Sequence, residues 1–328
     1  DEIFIWSGNS NVFPAVIKSI EDKKNISKDV KTADVRTVLF IEDNPRYYSS
    51  ILPVLYKEII SNTKKLIDKS LTNSQKILHM RARPKIILLK NYDDAIKYIN
   101  KYRFNILGII SDLRYPYKKD KHYLSGLKLI NYLNKIDSAI PIILQTTEKN
   151  IPKKLKESSI KVIQKNSTVL FKQLQSFMID ELGFGDFKFR SPNGKIINKA
   201  KNINDLISKI KKVKSDSIKF HASKNHISNW LATRGEFKLS SSFREIRKND
   251  FKNIDKRKEH YLDLLSENIN ISAKTKIVEF SKKINDFSHN FIQIGSGSLG
   301  GKARGLAFAN KLLNETSFKS KYSKVSIR

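Results

Sequence analysis

The chain has 328 residues, 39% of them hydrophobic, and carries 63 Lys or Arg against 32 Asp or Glu, a formal charge of +31. This length supports two or three domains with cores of their own. No apolar run approaches the ~18–20 residues of a membrane span, the acidic opening Asp1-Glu2-Ile3-Phe4-Ile5-Trp6 is no secretory signal, and the lack of cysteine excludes disulfides, thiolate catalysis and Cys-ligated zinc.

A cytoplasmic location is expected, with no membrane partner. The basic residues are scattered along the chain, and Lys, Asn and Ile are abundant together, as AT-rich codon usage produces. Nucleic acid is therefore not an expected partner, although charge alone keeps a nucleic-acid-binding regulator as an alternative. The chain starts without Met and stops at Arg328, and it reads as a piece of something longer.

In chain order, residues 2–6 read as a short strand. Asn11 to Lys24 read as a helix with Val12, Phe13, Val16, Ile17 and Ile20 on one face. One strand and one helix cannot bury both faces, so residues 1–30 are read as the tail of a truncated upstream domain. A polar linker, Asn25 to Asp34, follows.

Strands and helices then alternate. Val35–Ile41 is a β-branched run, as in a strand buried on both faces. A long helical stretch spans about Arg46 to Met80, with a break near Thr72-Asn73-Ser74. Further strands are Lys85–Leu89, Ile106–Ser111, Pro141–Leu144 and Ile160–Gln164. The helices between and after them are Tyr92–Tyr102, one containing Gly126–Leu133, Ile151–Glu157 and Thr168–Glu181. The alternation predicts an α/β domain over residues 31–183, a doubly wound parallel sheet of five strands. A hairpin and a small, mostly helical module are predicted over 184–290. The hairpin pairs Phe187-Lys188-Phe189 with Lys195-Ile196-Ile197, and the helices fall near 202–213, 223–233, 258–268 and 273–285. A glycine-rich segment then leads into a helix, Leu306–Leu313.

Three carboxylates fall where strands end: Glu42 and Asp43 after the first strand, Asp112 after the third. With strand order 2-1-3-4-5 these strands are neighbours, and ligands bind outside the carboxyl ends at that point. Clustered carboxylates repel unless a cation sits among them, and a hard ion such as Mg²⁺ suits them. A carboxylate beside Mg²⁺ can act as nucleophile toward a phosphoryl group. Thr146, ending the fourth strand, can hydrogen-bond a phosphoryl oxygen. Lys165, ending the fifth, can stabilise its charge.

Taken singly, each residue is an ordinary turn or helix-cap choice. As a set, Glu42/Asp43, Asp112 with Pro116 four residues on, Thr146 and Lys165 resemble the receiver domain of response regulators. The resemblance implies a flavodoxin-like fold, Mg²⁺ held by Glu42, Asp43 and Asp112, phosphorylation of Asp112, and Thr146 as the switch residue. It also implies a histidine kinase or small phosphodonor as partner. The chain departs from that pattern in four ways. The segment from Asp43 to Asp112 and the loop Tyr117–Lys121 are long. Asn166 stands where the family usually has Pro, and Val162 replaces the usual aromatic residue. A degenerate receiver serving only as a docking scaffold is the alternative. The stretch at 2–6 resembles the last strand of another receiver without its Lys.

The segment Ile294-Gly-Ser-Gly-Ser-Leu-Gly-Gly-Lys302-Ala-Arg304-Gly305 suits phosphate contact through backbone N–H groups. The spacing Gly295-x-Gly297-x-x-Gly300 fits a dinucleotide fingerprint but lacks the acidic ribose ligand, and Ala303 breaks a P-loop. Gly300-Gly301-Lys302-Ala-Arg304-Gly305-Leu306 resembles the opening of the ATP-grasp-like domain of phosphoenolpyruvate synthase and pyruvate, phosphate dikinase. It implies that Gly300, Gly301, Lys302 and Arg304 contact ATP phosphates once that domain, beginning at 291–328, is complete. The chain is then the regulatory part of an ATP-dependent phosphotransferase, with the kinase domain as partner in cis and no turnover of its own. His221 and His226, five apart, do not share a helical face and no third ligand is evident, so metal binding is not expected; His226 and Trp230, four apart, are expected to pack between domains or in a core.

Overall fold

The computed structural model describes residues 2–69, 73–120, 123–156, 160–247, 250–275, 277–279, 291–295 and 299–315. Five strands form a parallel sheet: β1 (Thr37–Ile41), β2 (Lys85–Leu89), β3 (Ile106–Asp112), β4 (Ile142–Thr146) and β5 (Lys161–Gln164). Their order is β2-β1-β3-β4-β5, the doubly wound, flavodoxin-like arrangement. Every residue of β1 and β3 is buried, because helices cover both faces.

Those helices are α1 (Val12–Ala33), α2 (Pro45–Lys69), α3 (Asn73–Arg81), α4 (Tyr92–Tyr102), α5 (Ser125–Ile136), α6 (Lys153–Lys156) and α7 (Leu170–Asp180). Alternate strand residues serve the two faces. Val38 and Phe40 pack with Leu52, Leu55 and Leu174 of α2 and α7. Leu39 and Ile41 pack with Ile99 and Leu129 of α4 and α5. No helix among the described residues is long and apolar enough to cross a membrane.

The N-terminal region differs from expectation. Residues 2–6 form no strand. Instead the Ile5 N–H donates to Ser49 Oγ at 2.9 Å, and the Tyr48 hydroxyl donates to the Ile3 carbonyl. The expected linker at 25–34 is helix as far as Ala33, and α1 ends only at Asp34, in the left-handed region at φ 48°. It continues because Ile26 and Val30 reach the apolar face of the sheet. Asp22, within the part already expected to be helical, is fully buried. Asp22 takes the Arg83 guanidinium at 2.7 Å, the Ile86 N–H at 2.9 Å and the Tyr56 hydroxyl at 3.0 Å.

The hairpin forms as β6 (Phe187–Arg190) and β7 (Ile196–Ala200). The module adds α8 (Ile203–Lys212), α9 (Ser215–Ala222), α10 (His226–Ala232), α11 (Phe237–Glu245) and α12 (Ile254–Thr275). Helices α9 and α11 were not anticipated. The module has its own core around Phe189, Leu206, Trp230, Tyr261 and Leu265. Of the helix expected over 273–285, residues 273–275 are the end of α12, whereas Ile277–Glu279 form strand β8, parallel to β9 (Phe291–Gln293). The rest of that stretch, and Thr72, Lys121, Glu157 and Gly297, lie outside the described residues.

The module seats directly on the sheet domain. Asn229 Nδ2 donates to the Leu107 carbonyl at 3.3 Å. The Arg234 guanidinium stacks 3.6 Å from the Trp230 ring centre and donates to the carbonyls of Gly183 and Gly185. Gly183 has φ +85°, and a Cβ there would lie 2.6 Å from the Trp230 Cα, so the connection is drawn against α10 as only glycine allows.

His221 and His226 form a directed proton chain. The Arg190 N–H donates to His221 Nε2 at 2.8 Å, the two Nδ1 atoms are 2.9 Å apart, and His226 Nε2 is 2.9 Å from Glu181 Oε2. With His221 Nε2 an acceptor, the neutral ring must carry its proton on Nδ1 and donate it to His226 Nδ1, which leaves His226 Nε2–H for the carboxylate. The lone pairs that a metal would need are thus committed. Burial, with the charge of Arg190 nearby, pushes His221 down to about 3. Burial would raise Glu181, but the hydrogen bond from His226 and the charges of Lys224 and Arg190 hold it down to about 2.

Two outcomes are expected. Asp22→Ala leaves Arg83 without its buried partner and lowers the unfolding free energy by about 3–5 kcal/mol, measurable by urea titration. For the chain of histidines, the native state binds fewer protons than the unfolded state on the acid side. Stability is therefore lost as pH falls from about 6.5 through the His221 limb, and again below about 4.5 through the Glu181 limb. His221→Gln flattens the first limb and spares the second, read by denaturant unfolding across a pH series.

Candidate functional site

The carboxyl ends of the strands share one rim because the parallel ladders continue past the strand ends. The Glu42 N–H donates to the Leu89 carbonyl at 2.9 Å, Leu113 to Gln145 at 2.9 Å, and Lys165 to Thr146 at 2.8 Å. Glu42, Asp43, Asp112, Thr146 and Lys165 are thereby delivered from β1, β3, β4 and β5 to the same side.

One carboxylate oxygen each from Glu42, Asp43 and Asp112 lies within 4.8 Å of the others. Lys165 Nζ stands 2.6 Å from Glu42 Oε2 and 2.7 Å from Asp112 Oδ2. Glu42 is fully buried, Asp112 and Lys165 nearly so, and Asp43 is half-buried. Glu42 also accepts from Gln145 Nε2 at 3.0 Å and from the Asn44 N–H at 3.2 Å. Asp112 Oδ1 accepts from the Leu113 N–H at 2.7 Å.

Burial and the neighbouring Asp112 push the Glu42 carboxyl up to about 7, against the pull of Lys165. Asp112 is likewise raised by burial, although Lys165 and the Leu113 N–H pull it the other way. Two crowded acids held above their ordinary range are short of positive charge. The donor set suits a hard divalent cation: three carboxylates whose oxygens converge, the ligand type Mg²⁺ takes.

Thr146 is buried, and its Oγ1 accepts from the Glu148 N–H at 3.1 Å. Glu148 in turn takes the Arg114 guanidinium, so the loops after β3 and β4 are joined. Several of these partners went unrecognised in the sequence. Gln145 had a signal, since it is a buried polar residue inside an otherwise apolar strand. Tyr47, whose ring lies 4.3 Å from Lys165 Nζ, and the Arg114–Glu148 pair had none.

The glycine-rich residues lie elsewhere. Gly300, Gly301, Lys302 and Arg304 are exposed at the start of α13 (Gly301–Glu315), after β9. A Cβ at Gly300, Gly301 or Gly305 would meet nothing within 4 Å, so packing does not require glycine there.

No family model matches the chain, and no curated protein matches it. Among solved structures it is similar to the Mn²⁺-bound form of response regulator Rcp1, with 16% identity over 44% of this chain and 91% of that one, at a TM-score of 0.27. The fold assignment rests on the sheet order, not on this likeness.

Replacing Lys165 with Met leaves Glu42 and Asp112 buried without their ammonium. Unfolding free energy is expected to fall by about 3 kcal/mol without metal and to recover in part with millimolar Mg²⁺, measured by denaturant unfolding in EDTA and in Mg²⁺.

Proposed function

We propose that the sheet domain is a phosphoacceptor of the receiver type, with Asp112 as the residue that takes the phosphoryl group. The observation that supports this most is the pairing of Asp112 with Lys165 at a rim where Glu42 and Asp43 complete an acidic set. An Asp112 carboxylate oxygen attacks the phosphorus of a small acyl phosphate or a phosphohistidine. A phosphorus–oxygen bond to the carboxylate forms, the bond to the leaving oxygen or nitrogen breaks, and the leaving group keeps the electron pair. Lys165 and the Leu113 N–H hold the carboxylate in place, and the ammonium offsets charge gathering on the phosphoryl oxygens. Thr146 supplies a hydroxyl for one of those oxygens. Mg²⁺, held by Glu42, Asp43 and Asp112, would neutralise both reactants.

A docking scaffold without phosphate transfer is the second reading. It is favoured by one observation: Lys165 already bridges Glu42 and Asp112 and balances much of their charge without a cation. As a wider proposal, the region regulates an ATP-dependent phosphotransferase of the phosphoenolpyruvate synthase kind. In this view Gly300, Gly301, Lys302 and Arg304 serve ATP phosphates, and the strand-to-helix step from β9 to α13 supports it.

Incubation with Mg²⁺ and acetyl phosphate, followed by intact-mass analysis, decides between the readings. One phosphoryl group is expected on the wild type and none on Asp112→Asn. Equal labelling of both would refute the role of Asp112, and labelling of neither, together with no beryllofluoride binding, would leave the scaffold reading.

A further inference from the structure

At the opposite rim, where β1, β3 and β4 begin, a cavity of about 820 Å³ lies between the sheet domain and the helical module. Its wall carries five arginines, Arg36, Arg103, Arg244, Arg247 and Arg257, against three carboxylates, Asp34, Asp137 and Glu245.

The arginines are poorly compensated. Arg36, 2% exposed, donates to the Phe104 carbonyl at 2.5 Å and to Ser241 Oγ at 2.9 Å, while its one carboxylate partner among the described residues, Asp34, stands 3.4 Å away. Arg244 donates to the Ile106 carbonyl at 2.9 Å and meets Asp137 at 3.4 Å, and its Nε is buried with no hydrogen-bond partner among the described residues. Arg257, 9% exposed, bonds the Tyr261 hydroxyl and the Ile246 carbonyl, and among the described residues no carboxylate pairs with it. Neutral carbonyls satisfy N–H groups but leave the charge unbalanced. Burial pushes Arg36 down to about 10 and lowers Arg244 as well, although each has an aspartate nearby.

We infer that this cavity binds a small phosphate-bearing anion at the junction of the two domains. The excess of two positive charges matches a phosphate dianion, and guanidinium forks pair with phosphate oxygens bidentately. The volume falls in the range of small-molecule sites. Phe104, Ile136 and Ile246 add an apolar flank for an organic body. Walls from both domains mean that the bound anion holds the module to the sheet. The inference is independent of phosphorylation at Asp112, which lies at the other rim.

Inorganic pyrophosphate is the probe, titrated calorimetrically into the whole chain. A chain of this charge attracts anions everywhere, so a charge-matched control is needed. Arg103→Glu/Arg247→Glu changes the proposed site. Lys65→Glu/Lys199→Glu makes the same charge change in a second basic cavity of about 530 Å³. Saturable binding of one pyrophosphate is expected, weakened about tenfold or more by the arginine pair and less than about twofold by the lysine pair. Arg247→Glu alone, at an exposed position, is expected to show the same direction with the fold intact by circular dichroism. Asp112→Asn is expected to bind as the wild type does. Absence of saturable binding, or equal loss in the two charge-matched variants, would overturn the site.

Discussion

The Lys165 ammonium, set between Glu42 and Asp112, is the interaction on which the functional rim depends. It joins side chains that lie more than 50 residues apart in sequence, at the ends of β1, β3 and β5. Two acids this deeply buried would otherwise neutralise by protonation. The bridge keeps negative charge available on Asp112 while leaving Asp43 at the margin. A carboxylate in that state is suited both to a divalent cation and to attack on phosphorus. The requirement for positive charge at the rim explains why the ladders must stay in register past the strand ends: a slip on one strand would carry its group to the other face or withdraw it from the pocket.

The opposite ends of the same strands hold a different kind of junction. There the module grips the sheet through arginine and asparagine side chains aimed at backbone carbonyls, as with Asn229 on Leu107 and Arg244 on Ile106. Such contacts fix orientation without balancing charge. The sheet domain is therefore short of positive charge at one rim and surrounded by excess positive charge at the other. The formal charge of +31 does not distinguish the two environments; only the placement of individual side chains does.

The reading of the sheet was accurate because parallel strands buried on both faces are written as short β-branched runs, and those runs sit in β1 to β5. The N-terminal region was misread for the converse reason. Lys28, Asp29 and Lys31 make α1 look like a solvated linker at its second half, yet Ile26 and Val30 pack on the sheet, and Asp22 just before them finds Arg83, 61 residues away. Local polarity carries no sign of a partner that distant. Helices α9 and α11 were missed because they are short and their apolar residues meet the module core through tertiary contacts rather than through a long periodic stripe.

By itself the sequence determined which residue types end each strand, and so placed Glu42, Asp43, Asp112, Thr146 and Lys165 at strand ends, since strand length and chain alternation are local properties. Tertiary structure alone decided that Lys165 bridges two of the three acids, that Gln145 and Tyr47 border them, that His221 and His226 are tied into a proton chain, and that five arginines meet in one cavity. Each of these depends on the approach of segments distant in sequence, where distance, burial and hydrogen-bond direction are set by packing and not by local pattern.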